Sequence, residues 1–321
     1  MRGYSLDGGG FKSMKAEDVK KITVIGGGGS MGHGIILACI QGGSYHVTLL
    51  SRRNESCQHG LNLIKDGPFG LNKAVERDKI TQEQANEMLS RVSVTTDYAL
   101  GLKDTDLVFE SLPEEIDIKM NCLQEFEKYA PEHCVIATGT SAILISELAG
   151  SLKKREKNLV GTHWFFPSNV MKLVEVGRSE LTSDDTFKFI IDFLVKIGKS
   201  PIAVKDSPGF FMTRFINTYI TEAIRLVELG IVGISEIDEM CKTGSRWPMG
   251  VFELLDETAS FDAYYHAQCY LYETLGERYQ IPALARKVFK AGYLGNPQLK
   301  PGSKGGWYDF FGVEKKYLKK K

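Results

Sequence analysis

The 321-residue sequence lacks three features that would assign it to a specialised class of protein. Forty basic residues balance forty acidic ones, so no overall charge would attract the chain to nucleic acid or to an anionic membrane. No apolar run approaches the length of a membrane span, and the first residues have no signal-peptide core. The six cysteines form no C-x-x-C pair, which argues against a disulfide framework or a zinc site. We therefore expect a cytoplasmic protein without nucleic-acid, membrane or metal partners.

The chain is long enough for two domains, and its pattern changes once. From residue 20 to 205, short β-branched runs alternate with helical stretches, which predicts a Rossmann-like doubly wound α/β sheet. After Pro208 and Gly209, apolar side chains recur at helical spacing, so residues 206–321 are predicted to form an all-helical C-terminal domain. Residues 1–19 are polar and glycine-rich, and we interpret them as a disordered tail or a remnant of cloning. The predicted strands read KITVI, HVTLL, DLVFESL, HCVIATGT, LVGTHWFF, MKLVEVG and SPIAVKD, with a helix over residues 30–41 after the first and a charged helical insertion, LNKAVERDKITQEQANEMLSRV, after the second.

A glycine-rich turn joins the first predicted strand to the helix that follows. Gly27, Gly29 and Gly32 form G-x-G-x-x-G, in which glycine permits a tight turn and lets the backbone approach a pyrophosphate. The first N–H groups of the helix would then face the phosphates, with Ser30 and Met31 beside them. A purely structural turn is the alternative. The strand before the motif and the helix after it favour a dinucleotide site.

The second predicted strand, HVTLL, ends at Ser51, nineteen residues after Gly32, and Arg52 and Arg53 follow at once. A Rossmann strand of this kind normally ends in Asp or Glu, whose carboxylate accepts from the ribose 2′-OH and selects NAD. Here that acid is absent, and two guanidinium groups can pair with a 2′-phosphate to which a serine can also donate. The alternative is that Ser51 caps the next helix and both arginines point to water. The sequence favours NADP, with NAD possible.

A histidine and a glutamate lie on two consecutive predicted strands. His163 stands at the end of LVGTHWFF, and Glu175 lies in the next extended run. Open α/β sheets bind ligands at the carboxyl ends of their strands, where an imidazole can take a hydroxyl proton near neutral pH. A carboxylate behind the imidazole would fix its tautomer and stabilise the imidazolium. A core histidine bonded to backbone and a surface glutamate are the alternatives.

Several motifs together resemble one family. The turn GGGSMGHGI is followed in order by TGTSAI, GTHWFFPSNVMKLVEV, DSPGFFMTRFINTYITEAIRLVELG and WPMGVFELLD, and these resemble the 3-hydroxyacyl-CoA dehydrogenases, in particular 3-hydroxybutyryl-CoA dehydrogenase. The resemblance covers residues 20–311. It implies a Rossmann-like domain, a helical domain that forms a homodimer, and nicotinamide-dependent oxidation of an (S)-3-hydroxyacyl-CoA.

The resemblance also implies roles for single residues. His163 matches the family's catalytic base, and Glu175 matches the acid that orients it. Ser141 matches a serine that hydrogen-bonds the substrate oxygen, while Glu114 and Lys119 match positions that line the cofactor. A strand cap at Ser141 and a solvated helical pair at Glu114 and Lys119 are the alternatives.

Three positions bear on how far the substrate pocket departs from the family pattern. Thr213 stands where the family has an asparagine whose amide helps to bind the substrate carbonyl, and threonine has a shorter arm. Asn217, one helical turn later, would either restore that amide or serve the dimer contact. Phe166 replaces an asparagine near the nicotinamide, which removes a polar contact. The resemblance therefore implies an altered pocket and an atypical acyl group.

Two rival functions stay open. One is oxidation of a free 3-hydroxy acid instead of a CoA thioester, although Lys65 and Lys73 lie where a CoA-binding helix should offer cations. The other is a catalytically idle protein that binds a dinucleotide. The presence of His163, Glu175 and Ser141 together counts against the second rival.

Overall fold

The structure of the protein is a computed structural model that describes residues 14–315 and residue 317. Residues 1–13 of the predicted tail lie outside the described part. The rest of that tail differs from the prediction, because Ala16–Asp18 form a short 3-10 helix. The first residue of this helix is buried, as is Val19, and both join the core beside the sheet. The first domain thus begins earlier than predicted.

The first domain is built on one eight-stranded sheet. Its strands are β1 (Lys21–Ile25), β2 (His46–Leu50), β3 (Val92–Thr95), β4 (Leu107–Glu110), β5 (Val135–Thr138), β6 (Leu159–Trp164), β7 (Leu173–Arg178) and β8 (Ser200–Lys205). Their spatial order is β3-β2-β1-β4-β5-β6-β7-β8. All neighbours pair in parallel except β6 and β7, which are antiparallel. The predicted Rossmann-like doubly wound fold is confirmed.

Helices cover the sheet and cross between its strands. They are α1 (Gly32–Gly42), α2 (Asn54–Asp66), α3 (Leu71–Glu76), α4 (Gln82–Ser90), α5 (Tyr98–Leu102), α6 (Ile116–Tyr129), α7 (Ile145–Ala149) and α8 (Asp184–Lys196), and Glu156–Asn158 form a 3-10 turn. Polar caps set some of their starts: Thr81 accepts from the N–H of Gln84 at α4, and Ser183 accepts from the N–H of Thr186 at α8. The sequence predicted that this helix starts at residue 30, but α1 begins at Gly32, because the glycine turn extends to Met31.

The predicted helical insertion is wrong at its end. The insertion contains α3 and α4, but its last residue, Val92, begins the strand β3. β3 lies at the edge of the sheet, where it pairs with β2, and its two central residues are exposed. A four-residue edge strand without an apolar run is too short for its periodic pattern to predict a strand.

The apolar runs of the inner strands supply both faces of the sheet. Val24 and Phe109 belong to the core on one face, while Ile25 and Val108 belong to the core on the other. Successive side chains of a strand point to opposite faces, so a strand covered on both sides must be apolar throughout. Burying each such side chain contributes roughly 1.5–3 kcal/mol. The glycine turn and the catalytic candidates therefore rest on a rigid base.

The second domain consists of helices, as predicted. They are α9 (Met212–Glu228), α10 (Ile234–Gly244), α11 (Val251–Glu257), α12 (Phe261–Leu275), α13 (Ala283–Lys290) and α14 (Trp307–Phe311), with a 3-10 turn at Glu277–Tyr279. Trp307 is fully buried at the centre, with its ring centroid 5.1 Å from that of Phe252 and 5.0 Å from that of Phe261. Within the described residues, no helix is both long and apolar enough to cross a bilayer.

Candidate active site

The glycine turn connects β1 to α1 at the carboxyl edge of the sheet. Gly26 has a φ of +79°, a conformation that strongly favours glycine. A Cβ on Gly32 would lie 2.4 Å from the carbonyl oxygen of Gly26, so backbone crosses backbone here without room for a side chain. Ser30 and Met31 are partly exposed just before α1. The helix N-terminus and this bare backbone fit the pyrophosphate of a dinucleotide.

Two histidines that the sequence analysis did not single out hold the carbonyl groups of this turn. His33 Nδ1 lies 2.9 Å from the carbonyl oxygen of Gly29, and His59 Nδ1 lies 3.0 Å from that of Gly28. Burial lowers the pKa of His33, against the hydrogen bond to Gly29. The Nε2 atom of His59 lies 3.1 Å from the carbonyl oxygen of Gln298 in the second domain. His59 therefore links the turn to the helical domain.

Ser51 at the tip of β2 is turned toward the glycine turn. It is buried, and its hydroxyl accepts a hydrogen bond from the N–H of Gly28 at 3.1 Å. The alternative that Ser51 caps the next helix is wrong, because the N-cap of α2 is Arg53 and no side chain caps it. The side chains of Arg52 and Arg53 are exposed, and their guanidinium groups form no hydrogen bond or ion pair within the described part of the chain. Both guanidinium groups are free to meet a ligand beside Ser51.

The antiparallel pairing of β6 and β7 sets His163 directly opposite Glu175. The Nδ1 atom of His163 lies 2.7 Å from Oε2 of Glu175, and both side chains are almost fully buried. The carboxylate accepts from Nδ1, which leaves the Nε2 lone pair available as a base. The rings of Phe165 and Phe210 flank the imidazole at 4.6 and 6.2 Å between centroids.

The second oxygen of Glu175 is held by the start of the helical domain. Oε1 accepts from the N–H groups of Phe211 at 3.2 Å and Met212 at 3.1 Å, where α9 begins. The N-terminus of a seventeen-residue helix favours negative charge. The carboxylate therefore has both oxygens occupied, and the orientation of His163 depends on both domains.

Glu114 organises the loop that carries Ser141. Its Oε1 accepts from the N–H groups of Ser141 at 2.9 Å and Ala142 at 2.7 Å, and from the hydroxyl of Thr140 at 2.6 Å. Burial opposes its ionisation, but the ammonium of Lys119 and these hydrogen bonds hold the pKa of Glu114 below its usual value. Within the described residues the hydroxyl of Ser141 has no hydrogen-bond partner, so it is free to meet a substrate.

Lys119 lies in the interior, where the sequence analysis did not place it. Its Nζ contacts Glu110 at 2.9 and 3.1 Å and Glu114 at 3.5 Å, and 1% of its side chain is exposed. Burial opposes its charge, but the two carboxylates raise the pKa of Lys119. The alternative of a solvated pair is wrong, because Lys119 is buried and its ammonium contacts Glu110 and Glu114. Glu110, an acid at the end of the apolar run of β4, is the partner that sequence reasoning missed.

The amide of Asn217 is bonded to the helix α12. Its Nδ2 donates to Oε1 of Gln268 at 3.0 Å and to the carbonyl of Tyr264 at 3.4 Å, both on α12. Asn217 and Gln268 are buried. The prediction that Asn217 binds substrate or serves the dimer is therefore corrected: it joins α9 to α12. Thr213 is also buried, next to the N–H of Met212 that holds Glu175.

The other predicted residues lie on the side of α2 and α3. Lys65 is exposed at the end of α2, and Lys73 pairs with Glu76 at 2.6 Å. Phe166 packs against Phe69, with the two ring centroids 5.6 Å apart. It also packs against Leu63 on α2, Ala259 after α11 and Leu299 in the loop between α13 and α14. Within the described residues no group of three His, Cys, Asp or Glu side chains is arranged to bind a metal.

Comparisons with known proteins show which family this chain resembles over both domains. The family model described as the 3-hydroxyacyl-CoA dehydrogenase NAD binding domain matches residues 21–207, and the C-terminal domain model of the same family matches residues 209–305. The chain is 36% identical over 258 residues to the mitochondrial hydroxyacyl-coenzyme A dehydrogenase of Homo sapiens, covering 80% of this chain and 81% of that protein. It is 35% identical over 291 residues to a 3-hydroxybutyryl-CoA dehydrogenase of Clostridioides difficile, covering 90% and 99%. A crystal structure of (S)-3-hydroxybutyryl-CoA dehydrogenase from Ralstonia eutropha is similar, with a TM-score of 0.75 and 31% identity over 87% of this chain and 96% of that one.

Proposed function

The chain belongs to the 3-hydroxyacyl-CoA dehydrogenase family, and on that premise we propose that it transfers a hydride between C3 of an (S)-3-hydroxyacyl-CoA and a nicotinamide cofactor. As a member of this family it is an oxidoreductase that uses a nicotinamide. The observation that carries the proposal is the 2.7 Å hydrogen bond between His163 and Glu175, which prepares Nε2 of His163 to act as a base.

The protein's own groups would move the proton and hold the oxygen. His163 takes the proton of the C3 hydroxyl on Nε2, and the C3–O bond becomes a carbonyl as the hydride leaves C3. When bound, the oxidised nicotinamide supplies the acceptor for that hydride. Ser141 donates to the substrate oxygen while its charge changes, and Glu175 stabilises the imidazolium. In the reverse direction the imidazolium of His163 returns the proton to the oxygen.

The acyl group is proposed to be atypical. Phe166 follows His163 by three residues in the sequence. Its aromatic ring packs against an apolar cluster that includes Leu63 and Leu299. Thr213 has a hydroxyl where an amide would reach further, and the buried Asn217 does not replace it. Lys65 is exposed and could meet the phosphates of CoA. These features favour a CoA thioester whose acyl group is bulkier or more apolar than a short straight chain.

The test is a cofactor-reduction assay with a panel of substrates. The panel contains straight, branched, cyclic and dicarboxylic 3-hydroxyacyl-CoA esters, and the matching free 3-hydroxy acids. We expect turnover of the thioesters, with the highest kcat/KM for a bulky acyl group. Faster turnover of the free acids would favour a hydroxy-acid dehydrogenase. No turnover of any compound, together with tight dinucleotide binding, would favour a catalytically idle binding protein.

NADP is the proposed cofactor, with NAD as the less preferred one. The tip of β2 carries no acid to accept from the ribose 2′-OH or to repel a 2′-phosphate. The hydroxyl of Ser51 accepts from Gly28 and keeps its own proton to donate. Arg52 and Arg53 are exposed on the same tip, and guanidinium groups bind phosphate well.

A homodimer through the helical domain is also proposed. Phe211 and Phe215 are more than half exposed and stack with 5.6 Å between ring centroids on α9. Ile231 follows α9 and Met240 lies on α10, and both are exposed to a similar extent. Exposed large apolar side chains are typical of an interface between subunits, and this exposure supports the proposal.

A further inference from the structure

Lys199 lies outside the catalytic pair and the glycine turn, yet it reaches a loop that lies between them. It stands between α8 and β8 and is almost fully buried. Its Nζ donates to the carbonyl oxygens of Ser168 at 2.6 Å, Met171 at 2.9 Å and Asn169 at 3.3 Å. One ammonium thus satisfies three carbonyl groups of residues 165–171, a loop within the segment that joins β6 to β7.

This loop touches both halves of the proposed site. It begins directly after the β6 residues that carry His163. Ser168 then donates to the carbonyl oxygen of Met31 in the glycine turn at 3.3 Å, and a Cβ on Gly34 of α1 would lie only 3.1 Å from the Cβ of Ser168. Asn169 donates to the carbonyl of Phe69 at 3.1 Å. The loop therefore determines the spacing between the imidazole and the turn.

The geometry points to Lys199 as a positioning residue that holds the 165–171 loop against the glycine turn, so that the nicotinamide end of the cofactor enters a site already shaped. The inference deepens the proposed function and depends on it for the identity of the cofactor. Lys199 touches neither substrate nor reacting atoms, and its effect passes through the loop that it organises.

The charge of Lys199 lies within reach of a pH titration. Burial lowers the pKa of Lys199 to about 8, with a small opposing effect from Cys39 on α1. Cys39 is itself buried, and burial raises the pKa of its thiol to about 12, so it stays neutral at pH 9. No carboxylate pairs with Lys199 in the part of the chain that the structure describes, and the ring of Trp164 lies 5.5 Å from Nζ. Above pH 8 the amine has two donors left for three carbonyl groups.

The pH effect on cofactor binding can be told apart from loss of the fold. An unfolded lysine titrates at about 10.4, so between pH 8 and about 10 the folded protein holds fewer protons than the unfolded chain. The contribution of Lys199 to the free energy of unfolding therefore rises with pH in this window. A loop that loosens at pH 9 would weaken cofactor binding while this contribution grows.

The experiment measures the Kd of NADPH and of NADH by fluorescence titration at pH 7 and pH 9. At pH 7, Lys199→Met should weaken the Kd of the preferred dinucleotide by about tenfold, which corresponds to about 1.4 kcal/mol. Lys188→Met is the matched control, because Lys188 is an exposed lysine on α8 that pairs with the exposed Asp192. The wild type should bind several-fold more weakly at pH 9 than at pH 7, and Lys199→Arg, which stays charged, should not.

The outcomes separate this inference from the proposed function. A folded Lys199→Met protein whose Kd stays within twofold of the wild type overturns the inference. If that variant does not fold, Lys199→Arg decides. A loss of affinity between pH 7 and pH 9 that is as large in Lys199→Arg as in the wild type also overturns the inference. If neither variant folds, a wild-type Kd that is unchanged at pH 9 overturns it. A wild type that binds dinucleotide but oxidises no 3-hydroxyacyl-CoA contradicts the proposed function alone, because the Kd is measured without turnover.

Discussion

Replacing Glu175 by glutamine tests the catalytic pair at one atom. In the wild type one carboxylate oxygen accepts from His163 Nδ1 at 2.7 Å, and the other accepts from the N–H groups of Phe211 and Met212 at 3.2 and 3.1 Å. A glutamine has the same size but offers one acceptor oxygen and one NH2 donor. The two backbone N–H groups require the oxygen, so the NH2 group must face His163.

This exchange reverses the tautomer of the imidazole. Nδ1 of His163 would accept from the glutamine, and the proton would move to Nε2, the atom that has to take the substrate proton. Positioned general bases contribute roughly 10²–10⁴-fold, so kcat of Glu175→Gln should fall by about that factor. The Kd of the cofactor and the far-UV circular dichroism should not change, because the side-chain shape and the backbone hydrogen bonds are kept.

The assay is steady-state oxidation of whichever 3-hydroxyacyl-CoA the wild type uses best, alongside cofactor titration. Glu180→Gln is the control, since Glu180 is an exposed glutamate just after β7 and should keep wild-type kinetics. A Glu175→Gln enzyme whose kcat stays within threefold of the wild type would refute the reasoning. A loss of kcat that accompanies a loss of fold would instead show that Glu175 acts by anchoring α9.

Three further changes have expected outcomes. Ser51→Asp/Arg52→Ile should shift the NADP-to-NAD ratio of kcat/KM toward NAD by about 10²-fold, because a carboxylate repels the 2′-phosphate; a wild type that prefers NAD tenfold would contradict the NADP proposal. Asn217→Leu should lower the free energy of unfolding, measured by urea titration, by about 1–3 kcal/mol, because the buried Gln268 oxygen loses its donor. The kcat/KM of the folded variant should equal that of the wild type. Phe215→Glu should convert a dimer into a monomer by light scattering, and a variant that stays dimeric would exclude this face as the interface.

Much of the first domain could be predicted from local pattern. The strands β1 and β4 are covered on both faces of the sheet, so their continuous apolar runs predict a buried parallel sheet. The glycine turn is equally local, since the crossing of Gly26 and Gly32 is a property of a few adjacent residues. The strand β3 was not predicted, because it is short, lies at the edge of the sheet and is half exposed.

The pairing of His163 with Glu175 could be proposed but not fixed by pattern. Their spacing is consistent with two strands, but the contact needs β7 to reverse beside β6 in one register. A shift of one residue would turn the glutamate to the other face of the sheet. The two N–H groups of α9 that hold Glu175 belong to the other domain, and no local feature of the sequence aims them there.

The sequence by itself determined the class of fold, the dinucleotide turn and the residue types at the site, because these depend on neighbours along the chain. Only the tertiary structure decided which partners the polar side chains bond. Asn217 lies one helical turn from Thr213, and helical spacing predicts a shared face, but the packing of α12 gives its amide to Gln268. Lys119 likewise became a buried partner of Glu110 through the docking of α6 on β4. A buried polar group takes whichever partner the packing brings within hydrogen-bond distance, and that distance is set by residues far apart in the sequence.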